Sequence, residues 1–132
     1  MSRDVQTITE RIRQMRELRR NKEYAIKVEY DSTRPQKNDL KEIAVLYERF
    51  KQVAAIEYKE NIKVFVLIVL FMYSPISFLK GRILRGSVRR ELSLVLGISG
   101  SSVTIYFNAA KSLLFNHKGF REEAERIYRL LS

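Results

Sequence analysis

The chain has 132 residues, of which 25 are Lys or Arg and 15 are Asp or Glu, so its formal net charge at pH 7 is +10. This charge favours a polyanionic partner, a nucleic acid before an anionic membrane surface. The absence of Cys excludes a disulfide framework and a thiolate metal site, and the charged N-terminus lacks the apolar core of a signal peptide. We expect a cytoplasmic protein with no membrane partner, built as one small helical domain with or without an arm.

Residues 2–22 are predicted to form a basic amphipathic helix that Ser2 caps. One apolar stripe recurs at helical spacing and comprises Val5, Ile8, Ile12, Met15 and Leu18. Seven basic and three acidic residues surround the stripe. Three arrangements stay open: the helix packs on the rest of the chain, it pairs with a second copy as a short coil, or it lies on nucleic acid as a basic arm.

Residues 24–30 alternate between apolar and polar side chains, which is typical of a strand. An isolated strand is unstable in water, so a strand that pairs with another subunit and a helical extension both stay open. A polar connector around Pro35 follows at residues 31–38. We place a boundary there between a basic N-terminal helix with its connector, residues 1–37, and a helical bundle, residues 38–132. The first part is a candidate oligomerisation arm.

A long helix is predicted to begin at Asp39, with Asn38 as its N-cap. Residues 23–61 carry seven basic and eight acidic residues. This near-neutral balance indicates a scaffold or a subunit interface and not a surface that faces a polyanion.

The most hydrophobic part of the chain is the ten-residue run Val64–Tyr73. It is far shorter than the roughly 20 residues that a transmembrane helix needs. We therefore expect a fully buried helix from about Asn61 to Tyr73, which Ser74 and Pro75 end.

A basic stretch at residues 76–90 leads into the next helix. Its cations are Lys80, Arg82, Arg85, Arg89 and Arg90, and no acidic residue precedes Glu91. Gly81 and Gly86 are predicted to divide the stretch into short pieces.

The segment Arg89–Leu114 is predicted to form two helices joined by a tight turn. Leu92, Val95 and Leu96 give the first helix an apolar face, and Gly97 ends it as a left-handed C-cap. Ile98 enters the core from the turn, and Ser99 caps the next helix. The apolar face of that second helix comprises Val103, Phe107, Ala110 and Leu114.

Two further positions fit a specific motif. Ser93 is small where the second helix must cross closely, and Val103 is a β-branched residue that locks the two helices together. With Gly97 and Ile98 in register, the segment resembles the helix-turn-helix DNA-binding proteins of bacteria, phages and mobile elements. An ordinary pair of packed helices joined by a glycine turn is the alternative.

The resemblance implies that the cations before the turn contact phosphates and that a recognition helix, about Gly100–Phe115, enters the major groove. Its hydroxyl groups would contact bases or phosphates, Ile105 a thymine methyl and Asn108 an adenine edge. No Arg, Lys or Gln occurs in its first two turns, so sequence discrimination should be modest. The candidate DNA-binding residues are Lys80, Arg82, Arg85, Arg89, Arg90, Ser99, Ser101, Ser102, Thr104, Ile105, Asn108 and Lys111.

The chain is predicted to end in a connector, residues 115–119, and a last amphipathic helix with Phe120, Ala124, Ile127, Tyr128 and Leu131 on its apolar side. The expected fold is an all-α helix-turn-helix bundle with a long N-terminal helical arm. The only histidine, His117, lies in the connector, and no metal-ligand spacing, phosphate loop or nucleophile elbow occurs. We therefore expect no enzyme activity, no cofactor and no small-molecule substrate.

The expected function is binding of double-stranded DNA as a homo-oligomer, a dimer or larger, by a transcriptional or mobile-element regulator. The alternative is an oligomeric structural or DNA-packaging protein of the phage small-terminase type. In that case the helix-turn-helix would serve assembly or loose DNA contact.

Overall fold

The computed structural model describes residues 7–20, 39–54, 60–80, 83 and 86–132. All regular structure in these residues is helical, which confirms the predicted all-α class. The predicted strand-like segment, residues 24–30, and the connector, residues 31–38, lie outside them. The helices are α1 (Ile8–Arg20), α2 (Glu42–Val53), α3 (Asn61–Tyr73), α4 (Ser77–Lys80), α5 (Gly86–Leu96), α6 (Gly100–Asn116) and α7 (Lys118–Leu131).

Helix α3 is the centre of the bundle. Every side chain from Val64 to Tyr73 is buried, because α2, α4, α5, α6 and α7 all pack against this helix. The predicted bounds are confirmed, and Ser74 is the C-cap. No single helix among the described residues is both long and apolar enough to cross a membrane.

Aromatic side chains connect α3 to the helices around it. The Phe65 ring centroid lies 5.0 Å from that of Phe50 on α2. Phe71 meets Tyr128 of α7 edge to face at 5.3 Å. Phe78 of α4 meets Phe107 of α6 in the same manner at 5.1 Å. Such pairs stabilise beyond the area they bury, so they fix α2 and α7 to the central helix and α6 to α4.

Helix α1 begins at Ile8, so the predicted continuous helix through Thr7 is wrong, and residues 2–6 lie outside the described residues. Thr7 is not helical and acts as the N-cap. Its hydroxyl accepts a hydrogen bond from the Glu10 amide at 3.1 Å, and the Glu10 carboxylate accepts one from the Thr7 amide at 3.1 Å. This reciprocal pair is a capping box, which sets the start of the helix. The predicted cap, Ser2, lies outside the described residues.

The apolar stripe of α1 packs into the core of its own chain. Ile8, Ile12 and Met15 are buried in the same cluster as α3. The Glu125 carboxylate on α7 accepts hydrogen bonds from the amides of Ile8, at 2.9 Å, and Thr9, at 3.1 Å. A carboxylate also interacts favourably with the positive end of the helix dipole. The described part of the stripe therefore follows the first of the three arrangements, packing on the rest of the chain.

We expect Glu125→Gln to destabilise the protein by about 1–3 kcal/mol, because the amide keeps one acceptor and loses the charge that binds two backbone donors. Urea unfolding measures the loss, and hydrogen exchange at the Ile8 and Thr9 amides locates it. Glu122→Gln is the control, since Glu122 is exposed on the same helix and should change stability by less than about 0.5 kcal/mol. Equal stability of Glu125→Gln and the wild type would contradict a structural role for this contact.

Helix α2 begins at Glu42 and not at Asp39, which corrects the predicted start. The Asp39 carboxylate accepts from the Lys41 amide at 3.1 Å, and the Asp39 carbonyl accepts from the Glu42 amide at 3.1 Å. Asp39 therefore organises a turn ahead of the helix, as Asp side chains often do. The predicted N-cap, Asn38, lies outside the described residues.

The predicted connector at residues 115–119 is wrong, because only His117 separates α6 from α7. Its Nδ1 accepts a hydrogen bond from the Phe120 amide at 3.0 Å, so the imidazole is the N-cap of α7. Gly119 leaves space for the ring, since a Cβ there would lie 3.2 Å from the imidazole Cε1. The sequence did not indicate this role, because His is not among the preferred N-cap residues.

Candidate nucleic-acid interface

Helices α5 and α6 meet at 102° across the Gly97 turn, which comprises residues 97–99. An angle of about 90–120° is typical of helix-turn-helix units. Gly97 has φ +67°, and the Ile98 amide donates to the Ser93 carbonyl at 3.1 Å. This hydrogen bond is the one that forms where a residue in the left-handed conformation ends a helix. The prediction that Gly97 ends α5 as a left-handed C-cap is therefore confirmed.

Side chains on both sides of the Gly97 turn hold it closed. The Ser93 hydroxyl donates to the Ile98 carbonyl, a contact that adds to the small size for which Ser93 was singled out. The Ser99 hydroxyl accepts from the Ser102 amide at 3.0 Å, which confirms Ser99 as an N-cap. Val103 and Leu92 are fully buried beneath the turn. The angle between the helices is therefore fixed by hydrogen bonds as well as by packing.

Helix α6 has one buried and one outward face, as predicted. Val103, Phe107, Ala110 and Leu114 are buried. The opposite face exposes Ser101, Ile105, Asn108 and Ser112, and the side chain of Ile105 is 64% exposed. No Asp or Glu occurs in α6, so no carboxylate on this helix would repel a polyanion.

Two arginines of α5 lie beside the first turn of α6. Arg89 and Arg90 are both exposed. The Arg89 guanidinium donates to the Thr104 hydroxyl at 3.4 Å, and its Nε lies 3.9 Å from where a Cβ of Gly100 would stand. The Arg89 side chain therefore extends across the start of α6, and its hydrogen bond to Thr104 holds it there.

A cleft of about 420 Å³ opens at this place, and its lining residues are Gly86, Arg89, Arg90, Ser93, Gly100 and Ser101. Two arginines and the first two residues of α6 therefore line one space. Backbone N–H groups and the helix dipole at a helix N-terminus favour an anion. The cleft has the size, charge and hydrogen-bond donors to hold a phosphate group.

The predicted DNA-binding residues occupy different environments. Ser101, Ile105 and Asn108 are exposed together on α6. Ser102 and Thr104 are half-buried and already hydrogen-bonded, Ser102 to Ser99 and Thr104 to the Gly100 carbonyl and Arg89. The hydroxyl groups of Ser102 and Thr104 therefore stabilise the two-helix unit of α5 and α6.

The remaining cations predicted to bind DNA lie at different places in the chain. Lys111 is half-buried, with its Nζ 4.6 Å from the centroid of the Phe107 ring, so it lies on a flank of α6 and not on the outward face. Lys80 is the last residue of α4. Arg82 and Arg85 lie outside the described residues.

No pattern in the sequence indicates that Arg16 of α1 lies beside α6. Its Cζ is 4.9 Å from the centroid of the Phe115 ring, within the range of a cation–π contact. The basic composition of α1 was visible, but its position next to α6 depends on how two distant segments pack.

No group of three or more His, Asp or Glu side chains that could hold a metal ion occurs within the described ranges. A second, open groove of about 470 Å³ lies between α1 and α7. Its lining mixes four arginines with three glutamates, among them the Glu125 that caps α1. No family model matches the chain, and no curated protein or solved structure is significantly similar to it.

Proposed function

We propose that the protein binds double-stranded DNA through α5, the Gly97 turn and α6, as a transcriptional or mobile-element regulator of modest sequence specificity. One observation carries the proposal: Arg89 and Arg90 flank the amide end of a helix whose outward face is exposed and free of carboxylates. Phosphate contacts position such a unit on the duplex, and the outward face then meets the base edges. The net charge of +10 supports the same partner.

The outward face of α6 supports modest discrimination between sequences. Asn108 is the one side chain there that can form the bidentate contact with adenine, and Ile105 can touch a thymine methyl. Ser101 and Ser112 each pair with several bases equally well. Binding energy would therefore come mainly from phosphate contacts and would depend strongly on salt.

A weak single site gains from a second copy bound to the same duplex, so the proposal includes a homodimer or a larger oligomer. The described part of the α1 stripe, Ile8, Ile12 and Met15, is buried within its own chain, so the contact between copies lies elsewhere on the surface.

Salt-titrated binding to a short duplex of mixed sequence tests the proposal. We expect a log–log slope of about −4 to −7 for five to eight phosphate contacts. No measurable binding at roughly 50 mM salt would contradict it, since non-specific affinity is greatest at low salt.

Selection of bound fragments from random duplex DNA then separates the regulator from the packaging alternative. Enriched two-fold symmetric sites and a dimeric mass in solution would support a regulator. A large stable ring without any enriched sequence would support packaging or assembly.

A further inference from the structure

Cations from three helices lie along one flank of α6. Arg89 of α5 contacts Thr104 in the first turn. Lys111 of α6 lies over the Phe107 ring, and Arg16 of α1 lies over the Phe115 ring at the far end. From Thr104 to Phe115 an α-helix rises about 16 Å, a length along which one DNA strand presents several phosphates.

The opposite flank of α6 differs in charge. At the helical spacing of 100° per residue, Tyr106, Ala109 and Leu113 lie on that side, and none of them carries a charge. Among the residues of α6 itself, the cation beside the outward face, Lys111, therefore lies on the α1 side.

Lys111 and Arg16 are close enough to affect one another. Partial burial lowers the pKa of Lys111, and the nearby positive charge of Arg16 lowers it further. Two cations held together on aromatic rings repel each other, and a bound anion would remove that repulsion. A partly dehydrated ammonium also loses less hydration when it contacts a phosphate.

We propose that Arg16 and Lys111 bind the DNA backbone as a second phosphate site, so that α1 is part of the DNA interface. The backbone of one strand runs along the α1 side of α6, from Arg89 at the start of the helix to Arg16 at its end. This inference rests on the proposed function and deepens it, because it assigns a role to a helix outside the two-helix unit and sets the side on which the strand lies.

The salt dependence of DNA binding separates this role from a purely structural one. Arg16 at the C-terminal end of α6 also complements the helix dipole, and loss of that contact alone would lower stability without changing the number of counterions released. A lost phosphate contact reduces the magnitude of the salt slope by about 0.9.

The experiment compares Arg16→Gln, Lys111→Gln and the double variant with Arg49→Gln and Lys51→Gln, two exposed cations of α2, on one mixed-sequence duplex. We expect each single variant to reduce the slope by about 0.9, the double variant by about 1.8, and the α2 controls to leave it unchanged. Arg16→Lys keeps the charge and should keep the slope. Circular dichroism and thermal unfolding show that each variant is folded.

The other outcomes of this experiment contradict the inference. A double variant with the wild-type slope would overturn it while the proposed function stands. A change for Lys111→Gln alone would overturn the role of α1. Absence of binding by the wild type would overturn the proposed function and this inference together.

Discussion

Replacement of both Arg89 and Arg90 with Gln is expected to weaken DNA binding by at least about 100-fold, because two charge-assisted contacts of about 1.5–3 kcal/mol each are lost. The log–log salt slope should become shallower by about 1.8, the value for two phosphates. Both side chains are exposed, so the thermal stability should change little. Fluorescence anisotropy with a labelled duplex at several salt concentrations measures both the affinity and the slope.

The control for this double variant is the pair Arg49→Gln and Lys51→Gln on α2, which removes the same total charge. If DNA binds at the cleft beside α6, the control should keep the wild-type slope. Equal losses for the two double variants would mean that binding depends on net charge alone and would contradict an interface at α5 and α6. This distinction matters because a chain with a net charge of +10 attracts any polyanion to some degree.

The central helix and the Gly97 turn could be predicted because their determinants are local. A ten-residue apolar run has no polar face to expose, so α3 had to be buried on all sides. Gly97 and Ser99 act on backbone groups within five residues along the chain, and their preferences at helix ends are strong. The angle between α5 and α6 follows from the turn that these residues build.

The ends of other helices were mispredicted because apolar periodicity does not locate the residue that caps a helix. Periodicity extended α1 to residue 2, although the Thr7 and Glu10 capping box was visible in the sequence and marks the observed start. The second cap of α1, Glu125, comes from the other end of the chain, and no local pattern indicates it. His117 gave no cap signal because imidazole is rarely used in this way.

Helical periodicity predicts which residues of α6 face outward, but it does not predict the contacts that other helices make with α6. Periodicity correctly separated the outward residues of α6, such as Ile105 and Asn108, from its buried face. It did not show that Thr104 hydrogen-bonds to Arg89. It also did not show that Arg16 reaches Phe115. Both contacts join separate helices, so they depend on tertiary packing that one helix cannot specify.

Phe107→Ala is expected to have the largest effect on stability, a loss of about 3–5 kcal/mol, because removal of a fully buried ring leaves a cavity. Phe107 is 0% exposed and meets the Phe78 ring at 5.1 Å. It also supports Lys111. Since a small domain is stable by only about 5–15 kcal/mol, much of the variant should unfold in moderate urea. Chemical unfolding followed by circular dichroism measures the difference.

Ile105→Ala is the matched control on the same helix, two residues away and on the opposite face. Its side chain is 64% exposed, so the substitution should change stability by less than about 0.5 kcal/mol. If α6 enters the major groove, Ile105→Ala should instead reduce the preference for thymine-containing sites in the selection experiment. A stability loss as large as that of Phe107→Ala would mean that the two faces of α6 are assigned wrongly. An unchanged site preference would limit α6 to contacts with the phosphate backbone.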